Sequence, residues 1–327
     1  MYFKLENLAQ IPKIQNFEIY SLISIFILGI LLLPTMADSQ LPNTSGQGQQ
    51  KQHSSIINTN STNDKVAMIT FGDTWKSQFT TAKPILDKYG FKASFYIPCN
   101  FAGKNNLHMN WRDISALQRD GMDIESKGMN DIILTNISST QLNFETGQSK
   151  QCLSSHGINN ATVFATPHGK GSDNATIVKA ISKYYDFAIN GFSNLMFLHC
   201  DGWIQYFTVQ KDCRTFDDNG KLTYANRYVI REWSHNANDE SNLYNDSKIF
   251  QIFVKEVNSQ KIYNKNGKID AIPILAYHSI DNQKTRGSTD INEFAEEMKY
   301  LNSTGFRVIP ISDLGYDQNT KYLYLKR

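Results

Sequence analysis

From Lys65 to the C-terminus, short apolar runs alternate with stretches in which apolar residues recur at helical spacing. Val66–Phe71 is a continuous apolar run and predicts a strand; Phe79–Lys88, after it, predicts a helix. The same alternation predicts strands at Ala93–Ile97, Met122–Glu125, Thr162–Ala165, Phe187–Ile189, Tyr228–Trp233 and Phe306–Ile309. Ile272–Tyr277 reads as an uninterrupted apolar strand ending on His278. Helices are predicted at Trp111–Arg119, Thr140–Ser155, Ala175–Tyr184, Lys248–Ser259 and Asn292–Leu301, with a turn at Asn264–Lys268. Asn190–Gly220 has neither period and reads as a long loop. Strands alternating with helices predict an α/β fold with a parallel sheet and covering helices. If the sheet closes into a barrel, function belongs at the C-terminal ends of its strands. With no internal repeat and no second boundary, residues 65–327 read as one domain.

The first 64 residues follow another pattern. Ile19 to Met36 is an uncharged apolar block preceded by Lys4 and Lys13. Thr35 and Ala37 supply small residues for a cleavage after Ala37. The block is at the short end of the roughly 17–25 residues that span a bilayer, so residues 1–37 read equally as signal peptide or membrane anchor. Residues 38–64 are rich in Gln, Ser, Asn and Thr and cannot bury a core. They read as a disordered polar tether, and the chain is expected to be extracellular, secreted or anchored to the cell membrane. Sequons begin at Asn43, Asn60, Asn136, Asn160, Asn174, Asn245 and Asn302, which is compatible with that location.

Composition narrows the picture only slightly. The chain of 327 residues is 40% hydrophobic and 20% charged with a net charge of +2, and no basic run suits nucleic acid. Cys99, Cys152, Cys200 and Cys213 form no close pair of the kind that holds structural zinc. Outside the cell they allow one or two disulfides, in any of three complete pairings.

The candidate chemistry begins where the first strand ends. Ile69-Thr70-Phe71-Gly72-Asp73-Thr74-Trp75 runs from an apolar strand onto a carboxylate and an indole. It resembles the Thr-Phe-Asp-Asp-Gly motif of polysaccharide deacetylases (NodB-like, carbohydrate esterase family four). Three further phrases follow in that family's order. Lys88-Tyr89-Gly90-Phe91-Lys92-Ala93-Ser94-Phe95-Tyr96-Ile97 is similar to its second strand. Glu125-Ser126-Lys127-Gly128-Met129-Asn130-Asp131 falls where the family carries Ser-His-X-X-X-His. Phe164-Ala165-Thr166-Pro167-His168-Gly169 is similar to its Arg-X-Pro-aromatic-Gly motif.

The resemblance implies a deformed (β/α) barrel. It also implies a divalent metal, zinc in the family, held by one aspartate and two histidines. The implied reaction removes N-acetyl groups from an extracellular glycan: an aspartate acts as base and a late histidine protonates the leaving amine. Asp73 matches the metal-binding aspartate, and Asp131 stands at the second histidine position. Gly72 replaces the base, Lys127 the first metal histidine, and Ala165 the arginine. A protonated lysine has no lone pair to offer a metal. The expectation is a Lys127 salt bridge to Asp73 and Asp131 in place of the ion.

His278 and His235 each end a predicted strand and are the candidates for the late histidine. The segment from Pro273 to Leu314 resembles one that precedes the core in many bacterial relatives, which implies a permuted strand order. That order requires Ile272–Tyr277 to lie beside Val66–Phe71. Trp75, His168 and Trp203 are the candidates for contact with sugar. Two functions remain: a deacetylase acting on N-acetylated polysaccharide, or an inactive relative that binds cell-surface glycan or a protein partner.

Overall fold

The computed structural model describes residues 64–198, 215–216, 222–223, 226–235, 246–283 and 287–326, all within one compact unit. The signal or anchor segment, most of the tether, Trp203, Cys200 and Cys213 lie outside the described residues. No described helix is long and apolar enough to cross a membrane.

Seven parallel strands form a closed ring: β1 Val66–Gly72, β2 Ser94–Ile97, β3 Asp123–Ser126, β4 Val163–Ala165, β5 Phe187–Phe192, β6 Ile230–Ser234 and β7 Ile274–Tyr277. Each pairs with the next, and β7 returns to β1 with Met68 opposite Ile274 and Phe71 opposite Tyr277. The adjacency required by a permuted order is therefore present. An eighth strand, β8 Arg307–Ile309, pairs with Val66–Met68. Met68 has Ile274 on one edge and Ile309 on the other, so β8 shares with β2 the edge of β1 that faces away from β7.

Period two along the strands divides the core. Val66 and Met68 point into the barrel with Tyr96, Val163, Ala165 and Ile189. Ala67, Ile69 and Phe71 point outward, under the helices, with Phe95, Ile97 and Leu275. Every residue of β1 is buried, which is why it reads as one apolar run rather than an alternation. The ring is weakest between β3 and β4, where only Ser126 and Phe164 are in register. There the buried Glu125 carboxylate accepts from Val163 N at 2.7 Å, a side-chain bond in place of a ladder bond.

The helices are α1 Lys83–Lys88, α2 Trp111–Arg119, α3 Ser139–Asn143, α4 Ser149–Ser155, α5 Ala175–Ser182, α6 Asp246–Asn258 and α7 Ile291–Ser303. Side chains of Asn110, Asn174 and Asp290 accept from backbone amides at the starts of α2, α5 and α7. Three differences from the sequence reading have local causes. The Phe79–Lys88 helix begins with a wide π turn, Gln78–Ala82, where Pro84 has no N–H to continue the α ladder. Ile272–Tyr277 is not one strand. Pro273 interrupts it: Ala271–Ile272 turns aside to pair with Met196–Phe197, and the Pro273 carbonyl accepts from Met68 N. A hairpin, Leu314–Asp317 with Tyr322–Leu325, went unpredicted; Leu314 and Leu323 join the barrel-interior core from it. A disulfide joins Cys99, just past β2, to Cys152 on α4.

Candidate functional site

The motif positions all lie at the C-terminal ends of barrel strands, around a cavity of about 760 Å³. Gly72 ends β1, Ala165 ends β4, Lys127 follows β3, and His278 follows β7; all four line the cavity, with Asp73, Asp131 and His168. Asp73, Asp131 and His168 have φ of 74°, 54° and 57°. A left-handed backbone at a non-glycine residue costs energy, and here it is held at three motif positions on three different loops.

Lys127 is the hub. Its Nζ contacts Asp73 Oδ1 and lies 3.2 Å from Asp131 Oδ1. The three side chains are 12%, 18% and 17% exposed, so the cluster is largely withdrawn from water. Two opposite charges at about 4 Å attract by roughly 4 kcal/mol at an effective dielectric near 20, before desolvation is subtracted. Burial alone would raise the Asp73 carboxyl, but the Lys127 ammonium and His278 outweigh it and hold the group below its ordinary range. Burial works against the Lys127 charge too, and the two aspartates raise it nonetheless. Asp131, with the longer contact, is held above its ordinary range by burial, which Lys127 offsets only in part. The bridge is therefore asymmetric, tight to Asp73 and loose to Asp131.

The loop carrying this lysine is fixed from below. Gly128 has φ of 82°, and a Cβ there would stand 2.8 Å from Glu145 Oε2. That oxygen accepts from Met129 N at 2.7 Å and Asn130 N at 3.0 Å, and Oε1 accepts from Asn130 Nδ2 at 2.7 Å. Cys99 N and Asn100 N donate to the carbonyls of Gly128 and Met129. The Cys99–Cys152 disulfide holds the donor side of that contact to α4.

His278 Nε2 is 3.6 Å from Asp73 Oδ2, and its Nδ1 is buried without a hydrogen-bond partner. Burial lowers its proton affinity, favouring the neutral imidazole. His235 does not face the cavity. Its ring is 2% exposed, with Nε2 2.7 Å from Glu297 Oε1 and Nδ1 3.2 Å from the Thr289 hydroxyl. The expectation of a late histidine at His235 is thus met by a histidine buried beneath α7. Trp75 is not among the cavity residues; its ring stacks on His108 at 5.2 Å.

The donor set at the motif positions does not fit a divalent ion. The ammonium of Lys127 sits where Asp73 and Asp131 converge, and its charge opposes a second cation there. Among the described residues, His235, Glu293 and Glu297 bring ligand atoms within 4.8 Å of one another, outside the cavity.

Phe192 and Glu232 are cavity residues not singled out in the sequence. Glu232 lies on β6 with Ile230 and Ser234 on the same, inward face. Its Oε2 accepts from the Thr70 hydroxyl at 3.0 Å. Burial pushes this carboxyl up to about 7, Thr70 and Lys127 lowering it only in part. The signal was weak: an acidic residue alternating with Ile230 and Ser234 in a five-residue strand that also carries Arg231.

Residues 59–185 match the model of the family described as Polysaccharide deacetylase. YxkH of Bacillus subtilis, itself assigned to the polysaccharide deacetylases, is 25% identical over 107 residues, which are 33% of this chain and 38% of that protein. The chain thus spans well under half the length of that relative. A family 4 carbohydrate esterase from Streptomyces lividans, solved with acetate, is 12% identical with a TM-score of 0.48, over 80% of this chain and 98% of that one. A family 4 pseudoenzyme from Bacillus anthracis is 12% identical with a TM-score of 0.47, over 76% of this chain and 64% of that one. Residues 59–185 thus carry the match to the polysaccharide deacetylase family, and the positions corresponding to its motifs, with departures at Gly72, Lys127, Asp131 and Ala165, gather at the C-terminal mouth of a closed parallel barrel.

Proposed function

We propose that this protein binds N-acetylated glycan outside the cell, in the cavity at the barrel mouth, without a catalytic dication at the motif positions. The observation that carries this reading is the Lys127 ammonium between Asp73 and Asp131, beside a glycine where the family has its base. A cavity of about 760 Å³ is ample for a sugar with its acetamide group, and Phe192, 55% exposed at its edge, offers a face on which a sugar ring can stack. The Cys99–Cys152 disulfide suits an oxidising compartment, and the apolar block Ile19–Met36 suits export or anchoring. Retained hydrolysis is the competing reading; it would need a water-activating group other than residue 72 and a cation that Lys127 opposes.

The test is a paired assay on the purified full-length chain. Binding of N-acetylchitopentaose is measured by calorimetry, and acetate release from the same oligosaccharide is followed with and without added zinc. Binding without acetate release is expected. Zinc-dependent turnover would replace this reading with hydrolysis, and no binding at all would remove the glycan from it.

A further inference from the structure

The cavity holds three described carboxylates near its mouth, and they are not equivalent. Asp73 and Asp131 are engaged by Lys127. Among the described residues, Glu232 has no cation within bridging distance. Its Oε2 accepts from Thr70, and among the described residues its Oε1 has no hydrogen-bond partner and is not fully buried, on a side chain that lines the cavity.

The surroundings favour one form of this carboxyl. The Thr70 hydroxyl has one hydrogen and lies closer to Glu232 Oε2, at 3.0 Å, than to the Leu275 carbonyl, at 3.4 Å; with that hydrogen on Oε2, a proton on the acid is carried by Oε1, the oxygen on the cavity side. Ala165, Ile189 and Ala276 supply apolar lining. The charged and titratable groups facing Glu232 come from several strands: Asp73 after β1, Tyr96 on β2 and Lys127 after β3. Asp131, His168, and Tyr277 and His278 at the end of β7 complete the titratable set of the cavity among the described residues. Asp73 opposes ionisation of Glu232 and Lys127 assists it, and the Lys127 charge is already shared with two aspartates.

We propose that Glu232 is the ligand-reading acid of this cavity, donating a hydrogen bond from its Oε1–H to the acetamide carbonyl of a bound sugar and losing that contact on ionisation. The inference rests on the reading that the cavity takes N-acetylated sugar, and it adds the contacting residue and a pH dependence. An ionised carboxylate offers only acceptors, so it repels a carbonyl oxygen where the acid attracts one. A proton affinity near neutrality puts the change of form between about pH 6 and 8.

The experiment measures the Kd of N-acetylchitopentaose for the full-length chain and for Glu232→Gln from pH 5.5 to 8.5. The amide keeps an acceptor for Thr70 and offers N–H donors at every pH, while His168, His278 and the Lys127 cluster stay as they are. The wild type is expected to bind about 10-fold more weakly at pH 8.5 than at pH 5.5, the loss of one hydrogen bond plus its repulsion. Glu232→Gln is expected to hold a flat profile near the wild-type low-pH value, and Glu232→Ala to bind weakly throughout. Wild type and Glu232→Gln binding with the same pH profile would overturn the role of Glu232 and leave glycan binding standing. No binding by either protein at any pH would overturn both.

Discussion

Lys127 and Asp73 meet across the barrel mouth although a whole strand, β2, separates the strands that deliver them. The contact ties the β1 and β3 loops together, and Asp131 adds a second anchor on the far side of the ammonium. Removing the cation would leave two half-hidden carboxylates facing one another. Lys127→Met is predicted to destabilise the fold by about 3 kcal/mol at neutral pH, the usual cost of breaking a withdrawn ion pair from one side. The folded-state proton affinity of Asp73 is depressed, so its contribution is present above its ordinary value of 3.8 and is lost as pH falls through the folded value. The gap between wild type and Lys127→Met should therefore narrow below about pH 4, in chemical denaturation followed at several pH values.

Much of this was legible in the sequence, for identifiable reasons. The strands of the ring are buried on both faces, so their apolar runs stand out, and β1 differs from its expected span by one residue, Gly72. The motif positions were found because each follows directly on such a run. Glu232 was not found, because β6 is short, carries two charges and ends a stretch with no clear period. His235 misled for the opposite reason: its place at the end of a strand suggested the rim, but the glutamates that enclose it come from α7, far along the chain. A strand's end fixes a residue's height in the barrel; which side of the wall it faces is set by distant partners.

The motif losses can be tested by reversal. Gly72 has an unexceptional backbone, and a Cβ built on it would stand 3.5 Å from Lys127 Nζ and 3.6 Å from His278 Cδ2, ordinary contact distances. Gly72→Asp alone should fold and give Lys127 a third carboxylate, without recruiting metal. The triple variant Gly72→Asp, Lys127→His, Asp131→His removes the ammonium and supplies two imidazoles. It is predicted to retain about one zinc per chain after dialysis, read by elemental analysis, where the wild type retains none. A triple variant that folds and holds no zinc would mean these positions do not correspond to the family's ligand positions.

Glu145 is predicted to matter more than its distance from the cavity suggests. It is fully buried and takes three hydrogen bonds from Met129 and Asn130, in the loop between Lys127 and Asp131. Glu145→Ala leaves those donors without their acceptor, at about 1–3 kcal/mol for each that water cannot reach. A loss of about 3 kcal/mol in urea unfolding is expected, with faster amide exchange confined to residues 128–131 and their neighbours. Unchanged exchange in that loop would show that Glu145 fills space without positioning Lys127.

The carboxyl of Glu232 also leaves a signature that needs no ligand. Its proton affinity is raised from an ordinary value of 4.5 to about 7. Below 4.5 the folded and unfolded chains both carry the proton. Between 4.5 and about 7 the unfolded chain has released it and the folded chain retains it, so this group's contribution to stability falls as pH rises and levels off above 7. Glu232→Gln has no proton to lose. Its melting temperature relative to wild type should therefore climb from pH 4.5 to pH 7.5 and stay constant beyond. Scanning calorimetry of the two proteins across that range is the check, and parallel curves would mean that Glu232 ionises in the fold as easily as it does in water.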